Sequence, residues 1–188
     1  MIDSSPPSPA DAPSSGAASQ PALDANEFAA VYAERVHRFA AMVMRNDQDS
    51  ADLAQEALIK AIRALPRFDA AKGSVEAWVW RIVINTARDA GRLSTRRHLL
   101  RERLFQDQLI SIDDRSVETD VLNRVRDAEL LDRVRKLPER ARTVVALRYG
   151  AQLGTGEIAR QLGIAPSAVS MAIGRALARL RKELEDAS

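Results

Sequence analysis

An all-α fold, with two small helical domains joined by a flexible linker and a helix-turn-helix in the second, is what this sequence predicts. Three observations carry the prediction. Apolar residues recur at three- and four-residue steps in two blocks, 24–98 and 127–188. No stretch of useful length alternates in the two-residue rhythm of a strand. Between the blocks, over 99–126, that periodicity weakens and acids accumulate. A chain of 188 residues suffices for two such domains; 46% hydrophobic residues supply the cores, and 4% aromatics keep them lean.

Residues 1–23 hold five of the eight prolines among Ser, Ala, Asp and Gly. They bury too little apolar area to offset the entropy of ordering, which predicts a disordered tail. The first helix follows, with Phe28, Val31, Tyr32, Val36, Phe39 and Val43 on one stripe. Asp49 and Ser50 are capping candidates for a second helix with the stripe Leu53, Ala57, Ala61, Ile62 and Leu65, stopped by Pro66. PRFDAAKGS reads as a loop. Ser74 then caps a long third helix whose buried side reads Val75, Trp78, Val79, Ile82 and Leu93.

Residues 106–120, QDQLISIDDRSVETD, hold five acids against one arginine and no clean stripe. The 29 residues from 98 to 126 could reach about 95–100 Å when extended, enough for two domains to bind distant points on one partner. The second block opens with Leu130, Leu131, Val134 and Leu137, and Pro138 suits the first position of the next helix, which Gly150 ends. Thr155 is a candidate cap for GEIARQL, Gly163 breaks that helix, and Pro166 starts the last one.

Charge must be read by position, since the net formal charge is only +2 although the pI is near 9.3. TGEIARQLGIAPSAVSMAIGRAL has the layout of a DNA-binding helix-turn-helix. Its apolar seam is Ile158, Leu162, Ile164, Val169 and Ile173, with small Ala159 at the crossing. Ser167, Ser170, Met171, Gly174, Arg175, Ala178 and Arg179 lie off the seam, and Arg175, Arg179, Arg181 and Lys182 suit phosphates or guanine edges. On the third helix Arg81, Asn85, Arg88, Arg92 and Arg96 follow steps of four, three, four and four along one stripe. Such a stripe suits a phosphate backbone with a polar contact to a base; an ordinary solvated face is the competing reading. Asp52, Gln55 and Glu56 share the exposed side of the second helix, where acids near the N-terminus also suit the helix dipole.

The two histidines, His37 and His98, lack metal-ligand spacing, and no phosphate loop, nucleophile elbow or carboxylate constellation is present. Thus no catalytic residue, metal, cofactor or small-molecule substrate is expected. With no cysteine, no secretion signal and no apolar run of about 20 residues, the chain reads as soluble and cytoplasmic.

DLAQEALIKAIRAL followed by VEAWVWRIVINTARDAGRL resembles region two of the extracytoplasmic-function (ECF) group of bacterial sigma factors. LPERARTVVALRYGAQLGTGEIARQLGIAPSAVSMAIGRALARLR resembles their region four. The resemblance spans Phe28 to Leu184 in the family's order. It implies an alternative sigma factor that binds core RNA polymerase, at the β′ coiled coil and β flap, and directs it to the −10 and −35 promoter elements. Asp52, Gln55 and Glu56 match the β′-gripping face. Phe68 to Gly73, with Phe68, Asp69 and Lys72, match the loop that pockets a flipped −10 base. Arg81, Asn85, Arg88, Arg92, Arg96 and Arg97 match the −10 DNA side of the third helix. Ser167, Ala168, Ser170, Met171, Arg175 and Arg179 fall on the −35 helix. Trp78 matches a core tryptophan, and Trp80, in place of a frequent Tyr or Phe, is expected to be the more exposed. The linker resembles the segment that threads towards the RNA exit path, and an anti-sigma factor is implied as a partner. The recognition helix departs from the family with AVSMAIGRAL, which has fewer charges at its start, and the tail has no counterpart. The rival readings are a stand-alone helix-turn-helix regulator, a sigma-like decoy for an anti-sigma factor, and an enzyme with a helix-turn-helix appendage.

Overall fold

The computed structural model describes the backbone of residues 24–104 and 121–186 and the side chains of 24–92 and 128–186. The described residues are helical with no strand: α1 (Ala25–Val43), α2 (Asp47–Ala64), α3 (Val75–Leu104), α4 (Val121–Lys136), α5 (Glu139–Val145), α6 (Thr155–Leu162) and α7 (Pro166–Glu185). The tail 1–23 and residues 105–120 lie outside the described residues. Helix α3 continues to Leu104 and α4 starts at Val121, so helical backbone enters both ends of the segment read as a linker.

Several helix starts are fixed by side chains that take up otherwise unpaired amides. Asp24 caps α1, accepting from Asn26 N at 2.7 Å and Glu27 N at 2.8 Å. Asn46, rather than Asp49 or Ser50, caps α2, accepting from Asp49 N at 2.7 Å. Those two residues belong to the first turn instead. Ser74 Oγ accepts from Ala77 N at the start of α3, as its sequence position predicts. Thr155 is the first helical residue of α6 and not its cap; Glu157 reaches back to accept from Gly154 N at 2.8 Å. Pro138 sits one position before α5, and a wider π-helical turn, Ala146–Gly150, follows that helix. The loop after α2 contains two short 3₁₀ turns, Leu65–Arg67 and Ala70–Lys72.

The core is aliphatic with a few aromatic anchors. Phe28, Tyr32, Val36, Phe39, Leu53, Ala57, Ala61 and Val79 are buried. Trp80 is fully buried and meets Phe39 edge-on at 5.7 Å, whereas Trp78 is only partly buried, which reverses the expected order. The reason is rotational: the inward side of α3 is Val79, Trp80, Val83 and Ile84, about one position on from the expected stripe. Val31, Leu130 and Ile164 also lie at the surface, at the margins of stripes whose centres are buried.

The two helical units pack against each other. One cluster of buried side chains runs from Phe28, Phe39 and Trp80 to Leu147, Leu153, Ile158 and Val169. A smaller one joins Val134, Leu137, Val145, Ala176 and Leu180, with Met42 of α1 against it. Gly150 makes this approach possible. A Cβ there would lie 2.8 Å from Phe39 N and 2.9 Å from Phe39 Cα, against backbone that cannot swing away.

Candidate nucleic-acid interface

Helix α3 presents the first candidate surface. Burying Val79, Trp80, Val83 and Ile84 leaves Arg81, Asn85, Arg88 and Arg92 exposed on the other side. Arg92 pairs loosely with Asp89 at 3.9 Å, while no ion pair engages Arg81 or Arg88 among the described residues. The side chains of Arg96 and Arg97 lie outside the described residues. Below the stripe, the Phe68 ring packs on Trp78 with centroids 5.4 Å apart. Asp69 caps the turn by accepting from Ala71 N at 3.0 Å and pairs with Lys72 at 3.2 Å. Gly73 takes φ +142°, a conformation that side-chain-bearing residues rarely adopt, and nothing stands within 4 Å of where a Cβ would be. The loop therefore offers an aromatic ring, an ion pair and open space beside the cationic stripe.

The second surface is the helix-turn-helix. Gly163, at φ +67°, ends α6 in the left-handed conformation, and Ile158, Ala159 and Val169 bury the seam between α6 and α7. Ser167, Ser170, Met171, Arg175 and Arg179 face solvent, Met171 at 58% exposure, while Ala168 is half-buried at the rim. Arg175 Nε donates to Met171 O at 3.3 Å and Arg179 Nε to Glu183 at 3.0 Å, so both guanidiniums are steered along their own helix. The third surface, on α2, is acidic and open. Asp52, Gln55 and Glu56 are all exposed, with Gln48 donating to Asp52 at 3.2 Å and Lys60 pairing with Glu56 at 2.6 Å.

Residues 28–97 match the sigma-70 region 2 family, and residues 127–180 match sigma-70 region 4. An RNA polymerase sigma-E factor of Streptomyces avermitilis is 32% identical over 165 residues, spanning 87% of this chain and 86% of that one. The chain belongs to the ECF group of RNA polymerase sigma factors. SigW of Bacillus subtilis, an ECF sigma factor, is 28% identical over 162 residues, covering 83% of this sigma factor and 86% of the relative. Among solved structures, the sigma factor RpoE in complex with the anti-sigma factor NepR from Bartonella quintana superposes with TM-score 0.65. It shares 18% identity and covers 85% of this chain and 96% of that one. CnrH, in complex with the cytosolic domain of CnrY, gives TM-score 0.61 at 24% identity, covering 87% and 89%. At these identities the likeness is one of fold.

What the sequence reading of this sigma factor missed is a polar lock between its two regions. Arg35 of α1 donates to Ala151 O from Nε at 2.9 Å and from Nη2 at 2.6 Å, and it pairs with Glu76 of α3 at 2.5 Å. Trp80 Nε1 donates to the same carboxylate at 2.9 Å. Burial alone would raise the Glu76 pKa; the hydrogen bond and charge of Arg35, helped by Trp80 and Tyr32, outweigh it and hold the carboxyl below its ordinary value. Burial, then the Glu76 charge, push the Tyr32 hydroxyl up to about 12. Gln161 of α6 donates to Ala77 O of α3 at 2.6 Å, and Arg135 of α4 donates to Ala41 O at 3.0 Å and pairs with Asp47. Polar and charged side chains that bond across 84 to 116 positions leave no periodic trace in sequence. Among the described residues no helix is long and apolar enough to cross a membrane.

Proposed function

We propose that this sigma factor docks on the β′ coiled coil of core RNA polymerase through Asp52, Gln55 and Glu56 and captures the opened −10 strand with its first helical unit. Phe68, Asp69 and Lys72 border the pocket for an extruded base. Arg81, Asn85, Arg88 and Arg92, continued by Arg96 and Arg97, carry the strand. The second unit reads the −35 duplex through Ser167, Ala168, Ser170, Met171, Arg175 and Arg179 and meets the β flap. The unit boundaries at 24–98 and 127–188 go with these roles. The protein acts in the cytoplasm on DNA and protein partners, catalyses no reaction itself, and is held inactive by an anti-sigma factor.

The observation that carries this reading is the separation of charge on one small unit. Its acidic α2 face and cationic α3 stripe are both exposed, so protein docking and nucleic-acid binding need not compete for the same side chains. A stand-alone regulator would have no use for the acidic face, and a decoy none for the cationic one.

Residue-resolved reconstitution with core polymerase tests the assignment. Charge reversal at Asp52 and Glu56 is expected to abolish capture of core while leaving duplex binding by the isolated factor within about twofold, since the reversed charges sit on another surface. Asn85→Ala is expected to preserve core capture and impair strand opening. If both variants lose core binding equally, the division of labour is wrong.

A further inference from the structure

We propose that the cleft between α3 and α6 is a binding site for a compact polyanion, a small molecule bearing two or three linked phosphates, and that it exists only while the two regions are packed together. The cleft has a volume of about 330 Å³, at the lower end of the range of small-ligand pockets. Helix α3 contributes Arg81, Asn85 and Arg88 to its lining, and α6 contributes Arg160 and Gln161. No acid lines it, and among the described residues no ion pair or hydrogen bond engages any of the three guanidiniums.

Bringing three like charges to one cleft is unfavourable unless an anion joins them. Guanidinium forks match phosphate oxygens two at a time, so three forks call for the several oxygens of a di- or triphosphate. The −10 role accounts for Arg81, Asn85 and Arg88, but Arg160 and Gln161 come from the other region and reach the cleft only through its packing. That packing is held from both sides: Gln161 bonds Ala77 O at the cleft edge, and Arg35 bonds Ala151 O behind it. A ligand that binds the packed chain alone stabilises it by mass action. Because the same α3 side chains are assigned to the −10 strand, the ligand would also oppose initiation; that consequence rests on the proposed function, and the binding itself does not.

Calorimetric titration of the full chain with sodium tripolyphosphate at low salt tests the site. Arg160→Gln is compared with Arg63→Gln, the same charge change at an exposed position of α2 outside the cleft. The site predicts at least about tenfold weaker binding for Arg160→Gln, the effect of losing a charged hydrogen bond. Arg63→Gln should stay within about twofold, since its charge lies in solvent away from the cleft and is screened. Equal losses would mean general attraction to a cationic surface and overturn the proposal. Gly150→Ala, which drives a methyl into the α1 backbone, or Arg35→Ala, which removes the lock on Ala151, then separates the regions with every cleft residue retained. Each is checked for helix content by circular dichroism and for expansion by solution scattering. An expanded, helical variant should lose tripolyphosphate binding; one that binds like the parent contradicts the requirement for packing. A nucleoside triphosphate titrated in parallel identifies the source of the phosphates: tighter binding points to a nucleotide, equal binding to an inorganic chain.

Discussion

Glu76 is the residue on which the Arg35 contact between the two regions turns. It faces Arg35, Trp80 and Tyr32 at once, and its carboxylate keeps Arg35 aimed so that the same guanidinium also reaches Ala151 O. Glu76→Gln keeps the shape and removes the charge. We expect a loss of about 1–3 kcal/mol in chemical denaturation at neutral pH, the range for charged hydrogen bonds in partly buried sites. The pH dependence has a defined sign. A carboxyl held below its ordinary value in the folded chain adds stability that is fully present above the unfolded pKa and fades as pH falls through the lower folded one. Tyr32 behaves oppositely: with its hydroxyl pushed up to about 12, its contribution is complete below pH 10 and is lost as pH rises towards 12. The acid limb should therefore be shallower in Glu76→Gln, and the alkaline limb in Tyr32→Phe. Parallel curves for parent and variants would contradict this account.

At the scale of elements, the helix-turn-helix is held by Gly163 and the buried seam, leaving α7 free to present Met171 and Arg175. Arg175→Ala is expected to weaken binding to the preferred −35 duplex by about 1–3 kcal/mol, the value of one side chain reading a base. It should also relax discrimination at one position, where a phosphate contact would weaken all sequences alike. Quantitative gel shifts over a −35 library distinguish the two. Helix identity and polar faces were legible in sequence because apolar spacing follows the helix repeat: α2 and the seam of α6 and α7 appear with their expected central residues buried. The rotation of α3 was less legible. Trp78 and Trp80 are two residues apart, so about 200° around a helix, and which one enters the core depends on Phe39 of a different helix. Caps shifted for a related reason, since Asn46, Asp49 and Ser50 all favour helix starts and only the packing of α2 on α1 selects Asn46.

For the whole molecule, the decisive fact is that two units expected to stand apart share a core. The −10 and −35 elements are separated by about 25 base steps, or about 85 Å of duplex at ~3.4 Å per step. On the proposed reading, with one unit on each element, two units whose side chains interleave cannot occupy both, and promoter engagement is expected to part the Arg35, Gln161 and Gly150 contacts. The chain has no cysteine, so labels at introduced ones are unambiguous. Spin labels at exposed Arg63→Cys and Arg140→Cys should report a distance longer by tens of ångströms in the promoter complex than in the free factor, on the scale of that spacing.

Run-off transcription with purified core polymerase on a pool of fragments from the source genome tests the central claim most directly. Discrete start sites appearing only when this factor is added, with shared sequence upstream at both promoter elements, are the predicted result. A core enzyme that stays silent on every fragment, while the factor alone still binds duplex DNA, would contradict the account and favour a stand-alone regulator.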